Sequence, residues 1–141
     1  MPLDNIFGIA STAMNAQLVR MNTTASNLAN ASTVAESEDK AFKAKRPVFQ
    51  ALVDKEMTTA GANYVGGVKV TKIMDDTTVT PKVHDPGNPK ADKDGFVYNS
   101  NVNEVTEMVE MMNASRSYQN NVEVVNTAKE LLMRTLDVLK S

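Results

Sequence analysis

From Asn101 to Ser141 the chain carries neither proline nor glycine, and its apolar positions recur at intervals of three and four. Val102, Val105, Val109 and Met112 set that rhythm. Val122, Val125, Ala128, Leu132, Thr135 and Leu139 resume it after a polar interval. The spacing predicts one long helix with a seam that needs helical partners. Asn101 is placed to cap its start, with Glu104 three residues on in the position of a capping-box acid. Acids come early (Glu104, Glu107, Glu110) and bases late (Lys129, Arg134, Lys140), the order that complements the helix dipole. At 1.5 Å per residue the run from Val102 to Leu139 covers roughly 57 Å, longer than a globule of this size is wide. A helix of that length is expected to be stable only when packed against others.

Residues 3–30 repeat the pattern. Leu3, Phe7, Ala10, Met14, Leu18, Met21, Ala25 and Leu28 alternate steps of three and four, a narrow seam of the coiled-coil type. Pro2 is tolerable at or before the first turn, and the helix should fail near Asn30, where Asn, Ser and Thr crowd together.

The middle reads differently. Glu36–Arg46 is a mixed-charge, loop-like stretch, Pro47–Val53 a short strand, and Thr59–Gly67 a glycine-containing turn or mobile loop. Further strands are expected at Val68–Ile73, Thr77–Val83 and Phe96–Tyr98. His84–Gly95, dense in Pro, Gly, Asp and Asn, should be a loop of consecutive turns. The fold class is therefore α+β: long N- and C-terminal helices paired as a coiled-coil-like layer, with a small β-rich middle module. The corresponding divisions are 1–33, 34–100 and 101–141.

Charge sharpens this division. Among the first 33 residues only Asp4 and Arg20 are charged, whereas residues 34–101 carry ten acids and ten bases. An N-terminal helix with an outer face of Asn, Thr, Ser, Gln and Ala suits packing on several sides better than open water. The net charge of −2 gives no reason to expect nucleic acid or an anionic membrane as partner. There is no cysteine, so disulfides and thiolate metal sites are excluded. No secretory signal is evident, and no run approaches the ~20 apolar residues of a membrane span.

Candidate chemistry is sparse. His84 is the sole histidine, with Asp85 beside it, but adjacent residues rarely hold catalytic hydrogen-bond geometry, and a surface loop histidine is the simpler reading. Asp92, Asp94 and Gly95 resemble the opening of a calcium loop without its twelfth-position Glu, so a turn is expected there. Gly61, Gly66 and Gly67 lack the Gly-Lys-Ser/Thr that would make a phosphate loop. Met108, Met111 and Met112 could line a binding groove but at helical spacing are more often packing. The interval Ser115–Asn121 is either a solvated patch or a set of directed contacts, with Arg116, Tyr118 and Asn121 fixing register across a helix interface. No cofactor and no metal are called for.

Two segments resemble a known family. The run from Ser11 to Thr33, ending in Ser26-Asn27-Leu28-Ala29-Asn30 and Thr33, is similar to the N-terminal signature of bacterial flagellar rod and hook proteins. Asn101, Val102, Glu107, Met108, Arg116, Tyr118 and Asn121 match the paired C-terminal signature, and the short length with the loop from His84 is similar to the proximal rod members. Ser100, where the family often has Pro, and Asn120, where Ala is common, depart from the pattern.

The resemblance implies a non-enzymatic structural subunit of the proximal rod, its terminal helices forming an inner layer around a channel, polymerising into the axial drive shaft that transmits torque. It implies as partners copies of itself, other rod proteins, membrane-ring or rod-adaptor proteins at the rod base, and the flagellar type III export apparatus. It also implies residence in the periplasmic rod after synthesis in the cytoplasm and export without a cleaved signal. Phe7, Met14, Leu18, Met21, Leu28, Val109, Met112, Val122, Leu132 and Leu139 would supply association energy, and Asn27, Asn30, Arg116, Tyr118 and Asn121 would set register. Two other readings remain open: a discrete coiled-coil adaptor outside the flagellum, and a hydrolase built on His84.

Overall fold

The computed structural model of the chain describes residues 2–52 and 66–140. Helix α1 spans Pro2–Ala29 and helix α2 spans Glu104–Lys140. Between them lie β1 (Val34–Ala35), β2 (Lys45–Ala51), β3 (Val68–Asp75), β4 (Lys82–His84) and β5 (Phe96–Asn99). The two helices and the small β module are those expected from periodicity, an α+β fold. The expected turn at Thr59–Gly67 falls outside the described residues up to position 65. The strand expected at Thr77–Val83 forms only as β4, because Asp76 and Thr78 fold back on each other instead.

The strands form two sheets, one ordered β1–β5–β4 and one ribbon of β2 with β3. In the first, β5 is central and antiparallel to both neighbours, with Ala35 opposite Tyr98, Lys82 opposite Tyr98 and His84 opposite Phe96. Alternation puts Lys82, His84, Phe96 and Tyr98 on one face and sends Val97, almost fully buried, to the other. On the first face the Lys82 ammonium sits 4.1 Å from the centre of the Phe96 ring, and His84 meets that ring edge-on at 5.0 Å. The loop from Asp85 to Gly95 is a succession of turns, closed by Asn88 N–H to Asp85 C=O, Ala91 N–H to Asn88 C=O and Gly95 N–H to Asp92 C=O.

Contacts divide the chain into two compact units. One comprises Met1–Val19, Val48–Lys72 and Asn113–Ser141, the other Arg20–Pro47 and Ile73–Met112. Both helices and the β2–β3 ribbon contribute to each.

In the first unit α1 grips the ribbon through Thr12. Its hydroxyl donates to Ile9 C=O at 2.8 Å and accepts the Val68 N–H at 3.1 Å. Gly67 makes that approach possible. Its φ is +122°, and a Cβ there would lie 2.7 Å from Thr12 Oγ1.

One sequence expectation needs correction. The cap of α2 is Asn103, not Asn101: Asn103 Oδ1 accepts the Thr106 N–H at 3.0 Å. Asn101 is drawn away by tertiary demand, as its Oδ1 accepts the Ala44 N–H at 2.7 Å and its Nδ2 donates to Thr78 C=O at 2.9 Å. The seams turn inward only in part, at Ala10 and Ala128 among others of their positions. On α1 the buried positions are Ala10, Ala16, Thr23, Thr24 and Asn27, while Leu18 is exposed. On α2 they are Glu107, Ala114 and Ala128, while Val105, Val109 and Met112 face outward. Small and polar side chains occupy the inward faces, where bulky residues would hold neighbouring elements apart.

Candidate assembly surfaces and the polar junction beneath them

The end of α1, the start of β2 and the first turns of α2 meet at one polar junction in the second unit. Asn27 and Glu107 are both fully buried. The Asn27 side-chain amide pairs with Lys45 as a neighbouring strand would, its Oδ1 accepting the Lys45 N–H at 2.8 Å and its Nδ2 donating to Lys45 C=O at 3.0 Å. The remaining Nδ2 hydrogen goes to Glu107 Oε2 at 3.0 Å, so both amide hydrogens and the amide oxygen are engaged inside the subunit. Glu107 Oε1 accepts from Arg46 Nη1 at 2.6 Å. A buried carboxylate is thereby charge-paired with a half-exposed guanidinium and hydrogen-bonded by a neutral amide.

Arg46 also reaches Asp76 Oδ2 at 3.5 Å. The Thr78 hydroxyl and then its backbone N–H, both donating to Asp76 Oδ1, hold the Asp76 carboxyl below the usual carboxylate range, with Arg46 adding to the effect. Asp76 N–H donates in turn to Ala44 C=O at 2.7 Å.

The end of α1 is shaped by the same signature run. Asn30 N–H bonds to Asn27 C=O and Asn30 Nδ2 to Ser26 C=O at 2.8 Å, while Thr33 Oγ1 donates to Asn30 C=O at 2.7 Å. These bonds satisfy carbonyls that the ending helix leaves open. Ser32 Oγ then donates to Glu104 Oε1 at 3.3 Å. With Asn27 on Glu107 and Ser32 on Glu104, the chain leaving α1 runs antiparallel to the start of α2.

Beside this junction α2 presents an apolar strip to the outside. Val105 is 71% exposed, Met108 54%, Val109 50% and Met112 57%, at spacings of three, four and seven that put them on one face. A strip of four large apolar side chains is the kind of surface that marks a contact with another chain.

In the first unit a groove of about 380 Å³ is lined by Ile6 of α1 and by Asn120, Glu123, Val124, Thr127, Ala128 and Leu131 of α2. Ile9, Leu18, Val122, Met133, Leu136, Val138 and Leu139 are exposed as well.

Of the residues singled out from sequence, Leu18, Val109, Met112, Arg116, Val122 and Leu139 lie on the exterior. Phe7, Met14, Met21, Leu28, Asn30, Tyr118, Asn121 and Leu132 are half-buried. Asn27 is wholly internal. Asn121 Nδ2 donates to Ser117 C=O of its own helix at 2.8 Å. Sequence reasoning did not single out Arg46 or Glu107 as a pair, nor Asp76 and Thr12. Glu107, in the C-terminal signature, and Thr12, within the N-terminal signature run, carried an advance signal.

The remaining candidate chemistry takes ordinary structural roles. The Asp85 carboxylate accepts from Asn88 Nδ2 at 3.3 Å and His84 packs on Phe96. Asp92 Oδ1 accepts the Asp94 and Phe96 N–H groups at 3.0 and 2.8 Å, which makes it a turn residue.

Comparison with known proteins places these features in a lineage. Residues 7–34 match the family model described as flagella basal body rod protein, and residues 93–138 match the one described as flagellar basal body rod FlgEFG protein C-terminal. The chain is 45% identical over 136 residues to the flagellar basal-body rod protein FlgC of Salmonella typhimurium, covering 96% of this chain and 97% of that one. It is 46% identical to FlgC of Escherichia coli O157:H7 over the same shares, and 33% identical to FlgC of Bacillus subtilis over 94% of this chain and 95% of the relative.

Proposed function

The chain belongs to the FlgC family of flagellar basal-body rod proteins, and we propose that it polymerises through its terminal helices, with copies of itself and with other rod proteins, into the proximal part of the axial drive shaft. The observation that carries this reading is the outward strip Val105, Met108, Val109 and Met112 on a helix whose inward face is occupied by Glu107 and Ala114. Burying each large apolar side chain of such a strip contributes about 2 kcal/mol. Contacts between unlike patches on successive copies do not close on themselves and so generate a helical tube. Torque applied to such a tube loads the connection between the helices and the β module. The Asn27–Lys45–Glu107–Arg46 junction supplies directional bonds there that resist sliding.

In this reading the chain leaves the cytoplasm through the flagellar type III export apparatus, resides in the periplasmic part of the basal body and meets membrane-ring or adaptor proteins at the rod base. Among the described residues no helix is long and apolar enough to cross a membrane. Val109→Asp tests the proposal. Because Val109 is half-exposed, the variant should keep the wild-type circular dichroism spectrum while cells carrying it as sole copy neither build rods nor swim. Normal rods and swimming in that strain would overturn the reading.

A further inference from the structure

We infer that Met108 and Met112 form an oxidation site at which peroxide-class oxidants withdraw the unassembled subunit from polymerisation. The two side chains lie four residues apart on one face of α2, each more than half exposed, with Val105 and Val109 completing the strip. The chain has no cysteine, so its thioethers are the sulfur groups available to a two-electron oxidant. Met111, between them in sequence, is half-buried, as are Met14 and Met21, whereas Met74 and Met133 are exposed but lie outside the strip.

In the reaction a sulfur lone pair attacks one peroxide oxygen. The O–O bond breaks, the S–O bond forms, and the second oxygen leaves as water after taking up the peroxide protons. Sulfur is oxidised by two electrons and the peroxide is reduced by two. The product carries a strongly accepting oxygen where the strip had a soft apolar atom, and covering it without a donor is unfavourable by more than a kcal-scale contact can offset. Reduction by methionine sulfoxide reductases would return the subunit to the competent pool. Val105 and Val109 cannot undergo this change, so the sensitivity is confined to two of the four positions in the strip.

The inference rests on the proposed covering of this strip in the rod. Its test uses cells with the full chain as sole copy, given a hydrogen peroxide pulse before or after rods are built, with the peptide from Asp94 to Arg116 read by mass spectrometry. Unassembled subunits should carry sulfoxide at Met108 and Met112 ahead of Met111. Rods completed before the pulse should remain unoxidised at both, and rods built afterwards should exclude oxidised subunits. Met108→Gln/Met112→Gln, a polar mimic of the sulfoxide, should lower rod number on the order of tenfold without oxidant. Met108→Leu/Met112→Leu should build rods in the presence of peroxide.

Sulfoxide-bearing subunits in new rods at the level of the soluble pool would overturn the inference, as would full assembly of the Gln variant or unrelieved sensitivity of the Leu variant. If Val109→Asp also builds normal rods, the assembly reading itself has failed. If Val109→Asp builds none while oxidised chains are incorporated, only the oxidation site has.

Discussion

Asn27 Nδ2 donates to Glu107 Oε2 at 3.0 Å across 80 residues of sequence, and both side chains are fully buried. Together they tie the last turn of α1 to the first turns of α2, and through Lys45 and Arg46 they tie both to β2. Glu107→Ala removes the acceptor for two donors, leaving Asn27 Nδ2 buried and half satisfied. The expected cost is about 3 kcal/mol, below the upper range for a broken buried pair because half-exposed Arg46 can return to water. Asn27→Asp should cost at least as much, since it turns a donor into a carboxylate oxygen facing Glu107 and the Lys45 carbonyl. Urea unfolding midpoints compare the two variants with wild type, and midpoints unchanged within error would contradict the assigned role.

The helices could be read from sequence because period-three-and-four patterning is local, but which face turns inward is not a local property. Periodicity finds the most apolar stripe, and on the first half of α2 that stripe, Val105–Val109–Met112, is the exposed one. The inward face is marked by Glu107 and Ala114, residues a hydrophobic pattern ranks low. The choice of cap failed for a related reason. Asn101 and Asn103 are equivalent by type and nearly so by position, and only the need of Ala44 N–H and Thr78 C=O for partners assigns Asn101 to the loops. The signature run at Ser26–Thr33 was legible as a pattern, whereas its work, ending α1 and docking β2, required Lys45 to be placed beside it.

Gly67 holds the ribbon against α1 at a separation that a side chain would prevent. Gly67→Ala combines φ near +122° with a Cβ 2.7 Å from Thr12 Oγ1, and should destabilise by about 2 kcal/mol. Thr12→Ala alone removes the acceptor of Val68 N–H and should cost about 1 kcal/mol. In the double variant the clash is relieved but the backbone strain persists, so the effects should be less than additive. A double-mutant cycle in urea measures this, and strict additivity would show that the two residues do not meet as described.

Asp76 should give the fold a component of acid sensitivity. Its carboxyl is held below the ordinary value by the Thr78 hydroxyl first, the Thr78 N–H next and Arg46 after them. A carboxyl with a depressed folded pKa stabilises the fold above its unfolded pKa, here near 3.8, and that contribution is lost as pH falls through the lower folded value. Thr78→Val deletes the hydroxyl donor and keeps the N–H. The Asp76 carboxyl should then titrate closer to its ordinary value in an NMR pH series, and stability should fall less steeply on acidification. An Asp76 titration unmoved by the substitution would rule out the hydroxyl as the main cause.

Ala114 and Ala128 offer the same substitution in two surroundings. Both are buried on α2 in the same unit, but Ala128 lines the groove of about 380 Å³ with Ile6, Val124 and Leu131, whereas Ala114 is not among the lining residues. Ala114→Leu must displace packed neighbours and should cost about 2 kcal/mol. Ala128→Leu can extend into apolar space, where the added methylenes each offset part of any strain by about 0.8 kcal/mol, so its net cost should be under 1 kcal/mol. Urea unfolding of the two variants decides the matter. Equal destabilisation would mean that the groove does not admit a side chain from Ala128, while the expected difference would identify the groove as room that an incoming apolar side chain can fill.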